Sequence, residues 1–188
     1  MCSGINHRRR SNLLGALALA GNDALRGACE STVNFGGETA AALVILGYEP
    51  GLASLGLSRI LGLSQVIGLS HAGTVRLVDK LVAQGLVERE RDSDDQRAVC
   101  LTLSPAGRAA RAEILQARRQ VFDALLSSLS ETEQQTLEGL LDKMLSRWTQ
   151  SVEPAVRICR LCDTEGCENC PVERSDHPRN AAAPNAAH

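Results

Sequence analysis

A mainly helical fold with one small β-hairpin is what this sequence predicts, on three observations. The apolar mass is aliphatic, 27 Leu and 24 Ala against the four aromatics Phe35, Tyr48, Phe122 and Trp148, and Leu and Ala favour helix over strand. Apolar positions recur at helical spacing through most of the 188 residues. One stretch breaks that period: Leu86-Val87 and Ala98–Leu103 flank a charged tip, Glu90–Arg97, which reads as two strands and a long polar loop. Hydrophobic residues make up 44% and charged residues 22%, so most of the chain is expected to fold, as one domain with an appendage. A net charge of -2 excludes a global polycation, so any nucleic-acid contact must come from a local basic patch. So few aromatics argue against a base-stacking sheet or barrel for single strands.

Residues 1–10 are short, polar and basic, and read as a disordered N-terminus. A helix is expected from about Ser11 to Cys29 on the spacing of Leu14, Leu17, Ala18, Leu25 and Ala28. Leu13–Ala20 follows three arginines, but it is short and soon meets Asn22, Asp23 and Arg26; it reads as an amphipathic helix rather than a secretion signal. No apolar run is long enough to span a bilayer, which predicts no membrane partner and a cytoplasmic location. Gly36-Gly37 breaks the chain before a helix over about Glu38–Leu46, stopped by Gly47 and Pro50-Gly51. A hexapeptide repeat follows, Gly56–Leu61, Gly62–Ile67 and Gly68-Leu69-Ser70. Glycine every six residues is costly in a helix, about 1 kcal/mol each, so short helical turns separated by glycine bends are expected.

Ser70 is a natural N-cap for the next helix, with Val75, Val78, Leu81 and Val82 as its apolar stripe and Gly85 as its end. After the hairpin, Ser104-Pro105 opens a helix to about Leu129, with Ser as N-cap and Pro at the first position. Ser130-Glu131-Thr132-Glu133 is a capping box that opens another. Its apolar residues run from Leu137 to Trp148, and Pro154 marks its end or a kink. The tail from 179 to 188 is low in complexity and reads as disordered.

Helix, turn, capped helix and hairpin in that order outline a winged helix-turn-helix. A helix that opens with short polar side chains can enter a DNA major groove, about 12 Å wide. Arginines near the hairpin tip, Arg89, Arg91 and Arg97, can reach phosphates or a minor groove. The residues Gly68-Leu69-Ser70-His71-Ala72-Gly73-Thr74-Val75-Arg76-Leu77-Val78-Asp79-Lys80-Leu81 and Gly85-Leu86-Val87-Glu88-Arg89 resemble the recognition helix and first wing strand of the MarR family. Arg91–Val99 and Leu101–Gly107 are similar to its wing and the start of its next helix. The resemblance covers roughly residues 11–150 and is most specific in 62–107. It implies a homodimeric regulator of transcription, most often a repressor, whose first and last helices form the dimer interface and whose recognition helices dock on a pseudo-palindromic operator in double-stranded DNA. It implies that Ser70, His71, Thr74 and Arg76 face DNA, that Arg97 is the wing arginine, and that Asp79 holds an arginine. It also implies a small-molecule effector between the winged domain and the dimer helices. Before the recognition helix the chain carries one Gly-Leu-Ser hexapeptide more than the family pattern needs; of its glycines, only Gly68 leads directly into that helix.

Residues 151–178 hold Cys159, Cys162, Cys167 and Cys170 at C-x2-C-x4-C-x2-C spacing. Two close Cys pairs supply four thiolates that a short loop can wrap around one ion, and tetrahedral zinc is the default. An iron–sulfur cluster is the alternative, since Cys170-Pro171 also ends some cluster motifs; a thiol–disulfide switch comes third. Such a site is either a structural staple, because binding energy becomes folding energy, or a sensor beside the dimer helix. Cys29 and Cys100 read as small core residues. No Ser-His-Asp order, phosphate-cradling loop or paired carboxylates stand out, so an enzyme is not expected. The remaining alternative is a redox- or metal-responsive protein whose winged domain contacts proteins rather than DNA.

Overall fold

The computed structural model describes residues 3–33, 36–48, 60–91, 99–149, 155–163, 166 and 170–174. The first helix, α1, spans Ser3–Val33. It begins eight residues before the expected start, so 3–10 are helical rather than disordered. Three consecutive arginines are good helix formers and extend a helix already anchored further along. α1 packs along α5 (Pro105–Leu126), with Gly21 facing the Phe122 ring. α2, Gly37–Leu46, is the centre of the molecule: Thr39 to Ile45 are buried without a break. Seven successive buried positions require neighbours on every side, which α1, α3 (Ile60–Ile67), α5 and the hairpin supply.

The glycine repeat does not form separate turns where it is described. Gly62 is buried inside α3, and packing of Leu63 and Val66 into the core outweighs the intrinsic cost of a helical glycine. The bend falls at Gly68, with φ +78, a left-handed conformation that glycine adopts without penalty. The first copy, before Ile60, lies outside the described residues.

α4, His71–Ala83, follows at once and is capped by Ser70, whose hydroxyl accepts the Gly73 N–H at 3.1 Å. Gly85, φ +69, reverses the chain into the hairpin. Strands β1 (Val87–Arg91) and β2 (Val99–Leu103) pair antiparallel, Val87 opposite Leu103 and Arg91 opposite Val99. Val87, Leu101 and Leu103 face the core while Glu88 and Glu90 face out. Ser104 caps α5 through the Gly107 N–H (3.0 Å), and its hydroxyl donates to the Gly85 carbonyl, tying the start of the wing to the start of α5. α6, Glu131–Thr149, opens on the expected capping box: the Ser130 N–H and hydroxyl both donate to the Glu133 carboxylate, at 2.9 and 2.8 Å. Two short helices, α7 (Ala155–Ile158) and α8 (Pro171–Arg174), frame the cysteine-rich segment. Among the described residues no helix is long and apolar enough to cross a membrane. The tail from 179 to 188 lies outside the described residues.

Candidate nucleic-acid interface

Three anchors position α4. Ser70 satisfies its first turn, Gly68 sets its angle to α3, and Val78 and Leu81, both fully buried, bolt one face to the core. The opposite face carries His71, Ala72, Arg76, Asp79 and Lys80, all exposed. Its N-terminus adds the positive end of the helix dipole. Ser70 and His71 lie at that end, and Arg76 and Lys80 follow on one edge at i, i+4 spacing. Lys80 was not singled out from the sequence, although its spacing from Arg76 was the signal for it.

Thr74 departs from expectation. It is fully buried, and its hydroxyl donates to the Ser70 carbonyl at 3.1 Å. The buried stripe is Thr74, Val78 and Leu81, whereas Val75 is only half-buried. A threonine that bonds back to the preceding turn has no unsatisfied polar group to expose, so it can face the core. Thr74 therefore belongs to the packing of the helix, not to its exposed edge.

The base of the wing is fixed to this helix by one ion pair. Arg89 on β1 reaches Asp79 on α4, with Nη2 to Oδ1 at 2.5 Å. Both groups are substantially exposed, so the pair contributes under about 1 kcal/mol to stability. Its effect is orientation: it sets the angle of β1 relative to α4 and directs the Arg89 guanidinium. Asp79 thus holds an arginine, as the resemblance implied. Arg97 and the tip acids lie outside the described residues, as does the side chain of Arg91.

Of the four clustered cysteines, Cys159 and Cys170 are buried and Cys162 is half-buried, packed together with Val172, Ile158 and Leu145. Cys167 lies outside the described residues. A hydrogen bond with Cys159 lowers the Cys162 thiol to about 6 against the opposing effect of burial, with Arg118 and Arg160 adding to the lowering. Among the described residues no three His, Cys, Asp or Glu side chains converge tightly enough to hold an ion. Cys29 is buried in the main core, and that burial, with the charge of Glu30, pushes its thiol up, as suits a packing residue. Cys100 is half-buried on β2.

A capped helix held against a two-stranded wing, both seated on a helical core, defines a winged helix-turn-helix protein. The family model described as MarR family matches residues 37–98, from α2 through the wing. The chain is 33% identical over 87 residues to the transcriptional repressor MprA of Escherichia coli, covering 46% of this chain and 49% of that one. A probable transcriptional regulator from Pseudomonas aeruginosa is 31% identical in a structural match that covers 70% of this chain and 96% of the other, with a TM-score of 0.50. A variant of MepR from S. aureus, solved bound to an oligodeoxyribonucleotide, shares the fold at 19% identity and a TM-score of 0.54, covering 74% of this chain and 97% of that one. The chain belongs to the MarR family. It spans about half the length of the curated relatives it matches.

Proposed function

We propose that this chain is a sequence-specific, double-stranded-DNA-binding repressor of transcription that acts as a homodimer on a pseudo-palindromic operator. The observation that carries the reading is the exposed edge of α4, with its capped N-terminus and with His71, Arg76 and Lys80 on the solvent side. A relative named as a repressor and a fold neighbour solved on an oligodeoxyribonucleotide support it. One recognition helix offers few base contacts, while two a helical turn apart match a palindrome. Apolar surface for the second copy is at hand: Leu13, Leu14 and Leu17 on α1, and Leu140, Leu141 and Met144 on α6, are each between 43% and 55% exposed. In this reading Ser70 and the arginines of the wing, Arg89, Arg91 and Arg97, meet phosphates, and His71 and Arg76 meet base edges.

Duplexes selected from a random pool test it. Affinity should fall steeply between about 50 and about 200 mM salt, because phosphate contacts release counterions. Arg76→Ala should cost about 1–3 kcal/mol and relax preference at one position, whereas Arg97→Ala should weaken binding to every sequence and flatten the salt slope. Binding that is absent at low salt, or insensitive to salt, overturns the reading.

The same proposal includes a four-thiolate zinc site at Cys159, Cys162, Cys167 and Cys170. What supports it is the paired C-x2-C spacing and the sharing of one apolar cluster by three of these residues, four thiolates being a donor set that zinc takes in tetrahedral array. Zinc would supply folding energy to a segment with little core of its own. Elemental analysis of anaerobically purified protein tests this: one zinc per chain is expected, iron with sulfide points to the cluster alternative, and neither metal with freely titrating thiols removes the site.

A further inference from the structure

We infer that Cys159 and Cys162 form a redox-active dithiol that exchanges with small disulfides and closes to an intrachain disulfide across one backbone turn. Three observations carry the inference. The Cys162 N–H donates to the Cys159 carbonyl at 2.9 Å, which closes a four-residue turn. A turn of that kind holds its end Cα atoms within about 7 Å, and a disulfide spans about 4.4–6.8 Å between Cα atoms. The two side chains are hydrogen-bonded to each other, so the sulfurs meet on one side of the turn. Both residues also share one apolar cluster with Ile158 and Val172.

The fold pins this turn from outside. Tyr48, two residues beyond α2, donates its hydroxyl to the carbonyl oxygens of both Cys159 (2.7 Å) and Cys162 (2.5 Å). Leu161, inside the turn, packs against the main core, and Asp163, just after it, pairs with Arg119 of α5 at 3.0 Å. A turn held at these points has already lost the freedom that closing the ring would otherwise cost, so the bond forms with little further ordering.

Exposure assigns the two roles. Cys162 is half-buried and Cys159 is buried, so a disulfide arriving from solvent meets Cys162 first. The Cys162 thiol gives up its proton and its sulfur attacks one sulfur of the small disulfide. That S–S bond breaks, the departing thiolate takes up a proton, and a mixed disulfide is left at Cys162. Cys159 then loses its proton and attacks the Cys162 sulfur; the mixed bond breaks, the second small thiol leaves protonated, and the Cys159–Cys162 bond remains. Two electrons pass from the cysteine pair to the small disulfide, which is the whole of the oxidant required. The inference goes beyond the zinc reading and does not rest on it: an ion at the sulfurs would compete with exchange.

The test equilibrates the reduced full chain, with a chelator present, in glutathione buffers of rising disulfide content; zinc is assayed on separate, untreated protein. Free thiols are then alkylated and the chain is cut after arginine and glutamate. Arg160 lies between the two cysteines, so the bond should appear as the peptide 158–160 joined to 161–165, with Cys29 and Cys100 alkylated. In the folded chain the pair should close at about tenfold lower oxidising ratio than in chain unfolded by guanidinium, the equivalent of one residue's ordering already met by the fold. Linkage to Cys167 or Cys170 instead, a glutathione adduct that persists at Cys162, or equal midpoints in the folded and unfolded chain overturns the proposal. Zinc found without the joined peptides leaves the zinc reading standing and removes this one; joined peptides without zinc do the reverse.

Discussion

α2 and α6 are both short of charge on their apolar positions and rich in Leu or Ala, yet they end in opposite surroundings. α2 buries Thr39 to Ile45 in succession, enclosed by other parts of the same chain. α6 packs beside α8, keeps Leu137 and Leu145 half-buried, and leaves Leu140, Leu141 and Met144 in the open. α1 behaves like α6, with Leu13, Leu14, Leu17 and Leu19 exposed. The winged core is closed by intrachain contacts. The peripheral helices present contiguous apolar surface of the kind that marks an interaction site, which the proposed homodimer covers. If that homodimer forms, the stability of the first region should be independent of concentration, while that of the second should depend on it.

Matched truncations separate the two regions. Leu43→Ala removes a fully buried side chain from α2 and should cost about 2–5 kcal/mol as lost burial plus a cavity, read as a lower midpoint in denaturant at every protein concentration. Leu140→Ala, at 54% exposure, should leave the monomer fold nearly unchanged and weaken self-association, read by sedimentation across a concentration series. Equal loss of unfolding midpoint in both variants, with no change in association, would erase the distinction.

Within the closed region the tightest joint is between the wing and α5. Gly107 in the first turn of α5 faces the Leu86 backbone, and a Cβ there would collide with the Leu86 carbonyl oxygen. Backbone cannot swing aside as a side chain can, so Gly107→Ala should cost about 1–3 kcal/mol by overpacking and loosen the hairpin, seen as faster amide exchange at 101–103. Gly139 in α6 has open space where its Cβ would sit, so Gly139→Ala is expected to stabilise slightly. The two substitutions should move the unfolding midpoint in opposite directions.

The elements were legible because their signals are local. Ser70, Ser104 and Ser130 announce helix starts through chemistry complete within three residues, and the break in period at Leu86 announces the wing. What escaped depends on partners distant in sequence. Val75 and Thr74 differ by a single position around α4, and only the packed core decides which turns inward. Gly62 reads as a bend until Leu63 and Val66 have something to pack against. Tyr48 is counted among the four aromatics, but nothing local assigns it a partner, because the carbonyls beside its hydroxyl lie more than a hundred residues away. For the interface itself, the polar start of α4 at Ser70 and His71 and an arginine held by Asp79 followed from the resemblance; that the arginine is Arg89, and that Lys80 shares the exposed edge, did not.

The smallest effect concerns the entry to the open region. The Glu133 carboxylate accepts from the Ser130 N–H and hydroxyl, and these bonds hold its carboxyl below the usual carboxylate range. A lowered folded-state pKa means that the carboxylate's contribution is fully present above the unfolded value, about 4.3, and is lost as pH falls through the lower folded value. The first turn of α6 should therefore fray in acid before the winged core responds, with amide exchange at 131–134 rising ahead of exchange in α2. Glu133→Gln keeps the geometry of the box but removes the charge, so that early acid step should vanish while the frayed baseline rises slightly at neutral pH. Should the early step persist in Glu133→Gln, another group controls the start of α6, and the entry to the open region would be no more acid-sensitive than the core it adjoins.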